Sequence, residues 1–435
     1  MAFLINLIVG IILFFYGVKI YTSYNLRPVS NPCGTGENYY LNKHLHFLLF
    51  SIATSMVFLG PFSLVKYVFW FAILVILIFF FRLKFDIIVG SYILFLLWAL
   101  FSMSYTSELY QGTMLLIKYA LPMLYLWLGY NAINGKEDFI IFLKKSNIIL
   151  ILYALFIGGF AYKVFPFSYS LLLFKSGGLF IAYASLADFF TALFVIPLTL
   201  YVITKRSKYL YAALWLLLST VLEVVRTGLG GIALSIMFFG FIFYKWRAVP
   251  FVVFPVILFV IAILFIPDVR EKMFVDDSNT AIAQTSLTFD NIQSNGRELI
   301  WEKNIEKFYK PNPLIGAGLG TSVSYTKDNF AVHLIHSDYV QILCDMGSIG
   351  LSFFCLFFIV LVCKVVYCCW FGYNKDDFVR LSGAMAVGSC AGVLFSMAFD
   401  NVVSYSQQCF VFPFLFIGIF LKAIDLCKDY NNRFV

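Results

Sequence analysis

The stretch Phe69–Phe81 reads FWFAILVILIFFF, thirteen residues in a row without a charge. It has neither the alternation of a half-buried strand nor the polar face of a helix bathed in water. Runs of this kind recur along the chain, separated by short polar breaks that carry Lys and Arg. About 20 apolar residues in helical form cross a hydrocarbon core ~30 Å thick. In lipid the backbone must satisfy its own hydrogen bonds, which only helices and closed barrels do. The ten-residue alternating strands of a barrel are missing from the sequence. The reading is all-α: a polytopic transmembrane helical bundle.

Composition carries the same conclusion beyond one stretch. Of 435 residues, 62% are hydrophobic and 12% charged, against roughly 25% charged in a soluble domain. Most of the nine cysteines fall in or beside apolar segments, where they behave as small hydrophobes. No CxxC pair accompanies a His cluster, so a structural zinc site is not expected. The first segment, Phe3–Ile20, lacks a basic start and a small-residue cleavage site, and reads as a retained helix.

Candidate spans run over 3–21, 46–62, 66–82, 86–104, 113–132, 147–165, 182–204, 209–226, 229–244, 249–267, 339–366, 381–399 and 408–426. That makes 12–13 crossings, depending on whether Gly60–Pro61 divides two helices or bends one. Orientation follows from the loops that collect Lys and Arg. Arg82 and Lys84, Lys144 and Lys145, Lys205, Arg206 and Lys208, Lys245 and Arg247, Lys375 and Arg380, then Lys428 and Arg433 fall in alternate breaks. All therefore face the cytoplasm, with the C-terminus, and the N-terminus is external. The chain divides into N-terminal transmembrane helices (1–266), a large external loop (267–338) and C-terminal transmembrane helices (339–435).

The loop holds seven basic residues against ten acidic ones, a net −3, which leaves about +11 for the rest of a chain whose total is +8. The positive balance is thus a topology signal. No continuous basic stripe exists, so nucleic acid is not an expected partner. Within the loop, Arg297–Lys310 (RELIWEKNIEKFYK) has helical period, with Trp301, Ile305 and Phe308 on one face. Asn295–Gly296 breaks the chain before it, and Pro311 and Pro313 end it. A short amphipathic helix there lies on the bilayer surface, caps a cavity, or forms the loop's own small core.

Several polar residues stand where polarity is expensive. Arg226, in Glu223-Val-Val-Arg226-Thr-Gly, sits at the external end of a span. It faces a partner, a wet cavity or the lipid headgroups, and Glu223 lies one turn away. His333 and His336 are the external histidines, in Ala-Val-His333-Leu-Ile-His336-Ser-Asp-Tyr339. Ser337 is a suitable N-cap for the helix that follows. His336 then stands at a helix mouth, where phosphate is welcome and an imidazole can act as a base. Lys118 beside Pro122, Asp188 and Asp400 are further intramembrane charges, each suited either to function or to an internal pair. Pro313-Leu-Ile-Gly316-Ala-Gly318-Leu-Gly320 lacks the preceding strand and the Lys-Ser/Thr of a nucleotide loop, and reads as tight turns.

Taken in order, Arg226-Thr-Gly, Gly296-Arg297 through Trp301, Pro313-Leu-Ile-Gly-Ala-Gly318, and His336 through Gly347-Ser-Ile-Gly350 resemble the O-antigen polymerase and ligase superfamily of bacterial inner membranes. The resemblance covers about residues 220–365. Ser337 stands where that family usually has Asn, and Val225 where Ser is common. The resemblance implies a membrane-embedded glycosyltransferase using undecaprenyl-diphosphate-linked glycans as donor and acceptor, without cofactor, metal or nucleotide. It implies Arg226 and Arg297 on the diphosphate and His336 on the acceptor hydroxyl or the donor. Trp301 and Tyr339 line the sugar path on this reading, with His333, Lys118 and Asp188 as further substrate contacts. A chain-length regulator and a flippase are the implied protein partners. A polymerase of surface-polysaccharide repeat units is the first choice, and a ligase to lipid A–core is the alternative. A lipid-linked oligosaccharide transporter, the reading from another class, would place charges along a midplane path.

Overall fold

The computed structural model describes residues 84–156, 183–223, 226–248, 297–330, 334–373, 375–405 and 407–432, with positions 253, 257, 260, 261 and 265 besides. The expected spans 3–21, 46–62 and 66–82, most of 249–267, half of 147–165 and the loop stretch 267–296 lie outside these residues. So does His333.

The described residues are helical, with no strand among them. The elements are α1 (Ile87–Ser102), α2 (Leu109–Ala132), α3 (Lys136–Phe156), α4 (Tyr183–Leu193), α5 (Val195–Thr204), α6 (Ser207–Glu223) and α7 (Arg226–Tyr244). After them come α8 (Arg297–Asn304), α9 (Thr321–Asn329), α10 (Asp338–Tyr367), α11 (Asp377–Phe399), the single turn α12 (Val402–Tyr405) and α13 (Gln407–Asn432). Six helical stretches among them are long and apolar enough to cross a membrane. The 19 residues of α7 rise about 28 Å at ~1.5 Å per residue, close to a bilayer core. The chain is a multi-pass membrane protein.

Helix starts are written in the sequence. Asp86 accepts from the Ile88 amide, Ser337 from Val340 and Asp376 from Val379, so α1, α10 and α11 each begin on a side-chain cap. Without a hydrophobic drive between helices in lipid, close approach depends on small residues. Gly231 and Gly392 bring α7 against α11 so tightly that a Cβ on either would meet the other's carbonyl at 2.8–3.0 Å. Aromatic rings fill the rest of the interior, as where Tyr92, Phe357 and Phe414 meet.

Two expectations shift. Arg226 opens α7 rather than closing the preceding span, since α6 ends at Glu223. The loop helix buries Ile300, Asn304 and Phe308, leaving Trp301 and Ile305 at the edge of that face. After Asn304 the helix widens into a π turn over Ile305–Tyr309, which a 3.6-residue period does not foresee.

The bundle has two distinct ends. The N-termini of α7 and α10 and the C-terminus of α11 share one end with α8 and α9. Lys84, Lys245, Lys364 and Arg380 stand at the other.

Candidate functional site

The site is organised around the turn between α11 and α12. Phe399 offers its carbonyl to Nη1 of Arg297, the first residue of α8. Asp400, almost fully buried, places Oδ1 3.2 Å from Nδ1 of His336, whose side chain is about a quarter exposed. Asn401 accepts from the His336 backbone N–H at 2.5 Å. Three successive residues thus grip the loop helix and both ends of the histidine. The charge at Asp400 is visible in the sequence; its tie to a histidine 64 residues earlier is not.

Arg226 completes the group. It is half-buried at the N-terminus of α7 and lies within electrostatic range of Arg297. Two guanidinium groups distant in sequence therefore share one corner of the bundle, beside the imidazole. Such forks match phosphate oxygens bidentately, and bringing like charges together favours an anion between them. Glu223, the suggested partner of Arg226, has a side chain outside the described residues.

The other candidates have tasks within the fold. Trp301 donates from Nε1 to the Ile335 carbonyl at 2.7 Å, tying α8 to the residue before His336. Tyr339 gives its hydroxyl to the Leu394 carbonyl at 3.2 Å. Lys118 reaches from α2 to the Ser404 carbonyl at 2.5 Å, beneath the same turn. Asp188 is buried on α4 within electrostatic range of Cys409 at the start of α13.

Sequence reasoning missed the layer behind His336. Asp338, fully buried, accepts from the Val403 amide at 3.2 Å and from Asn401 Nδ2 at 3.4 Å. Gln341 Oε1 accepts from that same side-chain amide at 3.0 Å. The Asp-Asn break between two spans was the available clue, since such residues rarely sit at membrane depth without reason.

The glycine-rich segment builds the wall. α10 is broken at Gly347, which has φ +68°. Residues 313–320 dock into that break: Ala317 and Gly318 donate to the carbonyls of Cys344 and Asp345, and Ser348 and Ile349 donate to those of Pro313 and Leu314. The Asp345 carboxylate receives the Gly320 and Ser322 amides at 2.9 Å, capping α9. Tyr105 donates to the Ile315 carbonyl at 2.6 Å, and burial, with Asp345 adding to it, pushes its hydroxyl up to about 12. It stays a donor. The tight-turn reading of this segment holds.

Comparison with known proteins bears on the same stretch. No curated protein matches the chain. Residues 211–355, from within α6 through Arg226, Arg297 and His336 into α10, match a family model described as O-Antigen ligase. Over that segment, about a third of its length, the chain is similar to the O-antigen ligase family, and the match supports the O-antigen polymerase and ligase superfamily.

Proposed function

We propose that the protein polymerises undecaprenyl-diphosphate-linked repeat units at the periplasmic face of the bacterial inner membrane. The observation that carries this reading is the meeting of Arg226, Arg297 and the His336–Asp400 pair at one end of the bundle. The arrangement suits displacement at an anomeric carbon with a lipid diphosphate leaving. Asp400 takes the hydrogen on Nδ1 of His336, which leaves the Nε2 lone pair directed away from the carboxylate. Nε2 receives the acceptor hydroxyl's proton as its oxygen bonds to the anomeric carbon. The carbon–oxygen bond to phosphate breaks, and the electron pair departs on the diphosphate held by Arg226 and Arg297. A positioned base of this kind contributes typically 10²–10⁴-fold, and donors aimed at developing charge about as much.

The loop-charge rule reads the basic end as the cytoplasmic one, which supports a periplasmic site. Clustering at one end favours transfer over transport. The second reading, ligation to lipid A–core, is favoured by the description of the matching family model.

Reconstitution separates the two. Purified protein in proteoliposomes, supplied with lipid-linked repeat units alone, should yield a ladder of longer lipid-linked glycans. Product that forms only after lipid A–core is added identifies the ligase. No transfer under either condition refutes the assignment.

A further inference from the structure

We infer that Asn401 is a positioning residue that holds His336 in its working orientation through the histidine backbone rather than its ring. The inference rests on the proposed role of His336 and deepens it. His336 has φ +59°, a left-handed conformation uncommon for a non-glycine residue and held here by its surroundings. Asn401 is the imposing group. Its Oδ1 accepts from the His336 N–H at 2.5 Å, and its own amide is fixed by donation to Gln341 Oε1 at 3.0 Å and Asp338 Oδ1 at 3.4 Å. Asp338, Gln341 and Asn401 are all buried, so none has water to fall back on.

The frame is anchored on both sides. Asp338 also receives the Val403 amide at 3.2 Å, and Asp400 Oδ1 receives the Asn401 amide at 3.1 Å while facing the imidazole. The same short turn therefore sets the backbone angle of His336 and the direction of its ring. Losing the Asn401 acceptor frees the histidine to relax toward ordinary φ, which swings Nδ1 away from Asp400.

The hydrogen-bond pattern supplies its own rescue. In a chain carrying both Asp338→Asn and Asn401→Asp, a carboxylate at 401 still accepts from His336, and an amide at 338 still donates across the pair. The Gln341 amide, whose Nε2 has no hydrogen-bond partner among the described residues, turns to donate to position 401. Asn401→Asp alone crowds a third carboxylate against Asp338 and Asp400.

In the reconstituted transfer reaction, Asn401→Ala should lower kcat about 100-fold, as displacement of a reacting group by an ångström does, with KM for the lipid-linked donor within about threefold. Asn401→Asp should be as poor, and the exchanged double variant should recover at least about tenfold over it. A second readout is independent of turnover. The His336 amide proton of selectively labelled protein should lie downfield in the native chain, move upfield in Asn401→Ala and return in the double variant. Native kcat in Asn401→Ala, no recovery in the double variant, or an unmoved amide proton would each overturn the inference. If the native protein transfers no glycan while the amide proton behaves as described, the functional reading fails and the positioning contact stands.

Discussion

The two ends of the bundle treat cations in opposite ways. At the basic end Lys84 meets Asp425 at 2.6 Å, Lys364 meets Asp86, Lys245 reaches the Trp370 carbonyl and Arg380 reaches that of Phe243. Trp246 and Trp370 pack beside them as an interfacial belt. There, positive charge is neutralised locally and fixes the bundle in the bilayer. At the opposite end Arg226 and Arg297 are brought toward one another, next to a histidine and its carboxylate. On the proposed reading, an anionic diphosphate between them is what the arrangement serves. On that reading, equal residue types mean anchorage at one end and recognition at the other.

The sharpest way to break this contrast is to remove a cation from each end. Arg226→Ala or Arg297→Ala should abolish long-chain glycan in a complemented deletion strain, with protein level and single lipid-linked units unchanged, as electrophoresis of the extracted glycan would show. Arg297→Lys should restore only part of it, because a point charge replaces a bidentate fork. Asp400→Asn comes next. An amide no longer fixes the histidine tautomer, so kcat should fall by about 10² or more while donor KM barely changes.

A smaller effect is expected at Gly347. A side chain there faces a left-handed φ and the Leu314 backbone, a strain of about 2 kcal/mol or more. Gly347→Ala should lower the detergent melting temperature and expose the 313–320 segment to protease, with transfer reduced in proportion to the folded fraction. The smallest change belongs to the basic end. Lys84→Ala removes a partly exposed ion pair worth about 1 kcal/mol or less, visible in melting but not in transfer rate. A loss of transfer there as deep as at Arg226 would erase the distinction.

How much of this is legible in the sequence depends on the range of the interaction. Span positions follow from apolar length: α1, α2, α6, α7, α10, α11 and α13 lie within a few residues of expectation, and α4 with α5 fill the expected 182–204. Ser337 as a cap is a local signal and holds. Arg226, Arg297 and His336 stand out because charge at a span end or loop edge is conspicuous by itself. Their meeting is suggested only by the order of motifs, since no periodicity links residue 226 to 297. Asn401 and Asp338 escape notice because their significance lies wholly in partners about 60 residues away. The buried face of the loop helix, with Ile300 and Asn304 in place of Trp301 and Ile305, departs from expectation for a similar reason: packing, not period, sets it.

The break at Gly347 bears on how the protein is made. A gap in a membrane helix leaves amides and carbonyls stranded in oil unless something plugs it, and the plug is the Pro313–Gly320 segment. Synthesis from the N-terminus delivers the plug before the gapped helix emerges. The ribosome therefore supplies the two pieces in the sequence that spares the nascent chain an unfilled notch. Reversing their order by circular permutation should impair insertion more than final stability.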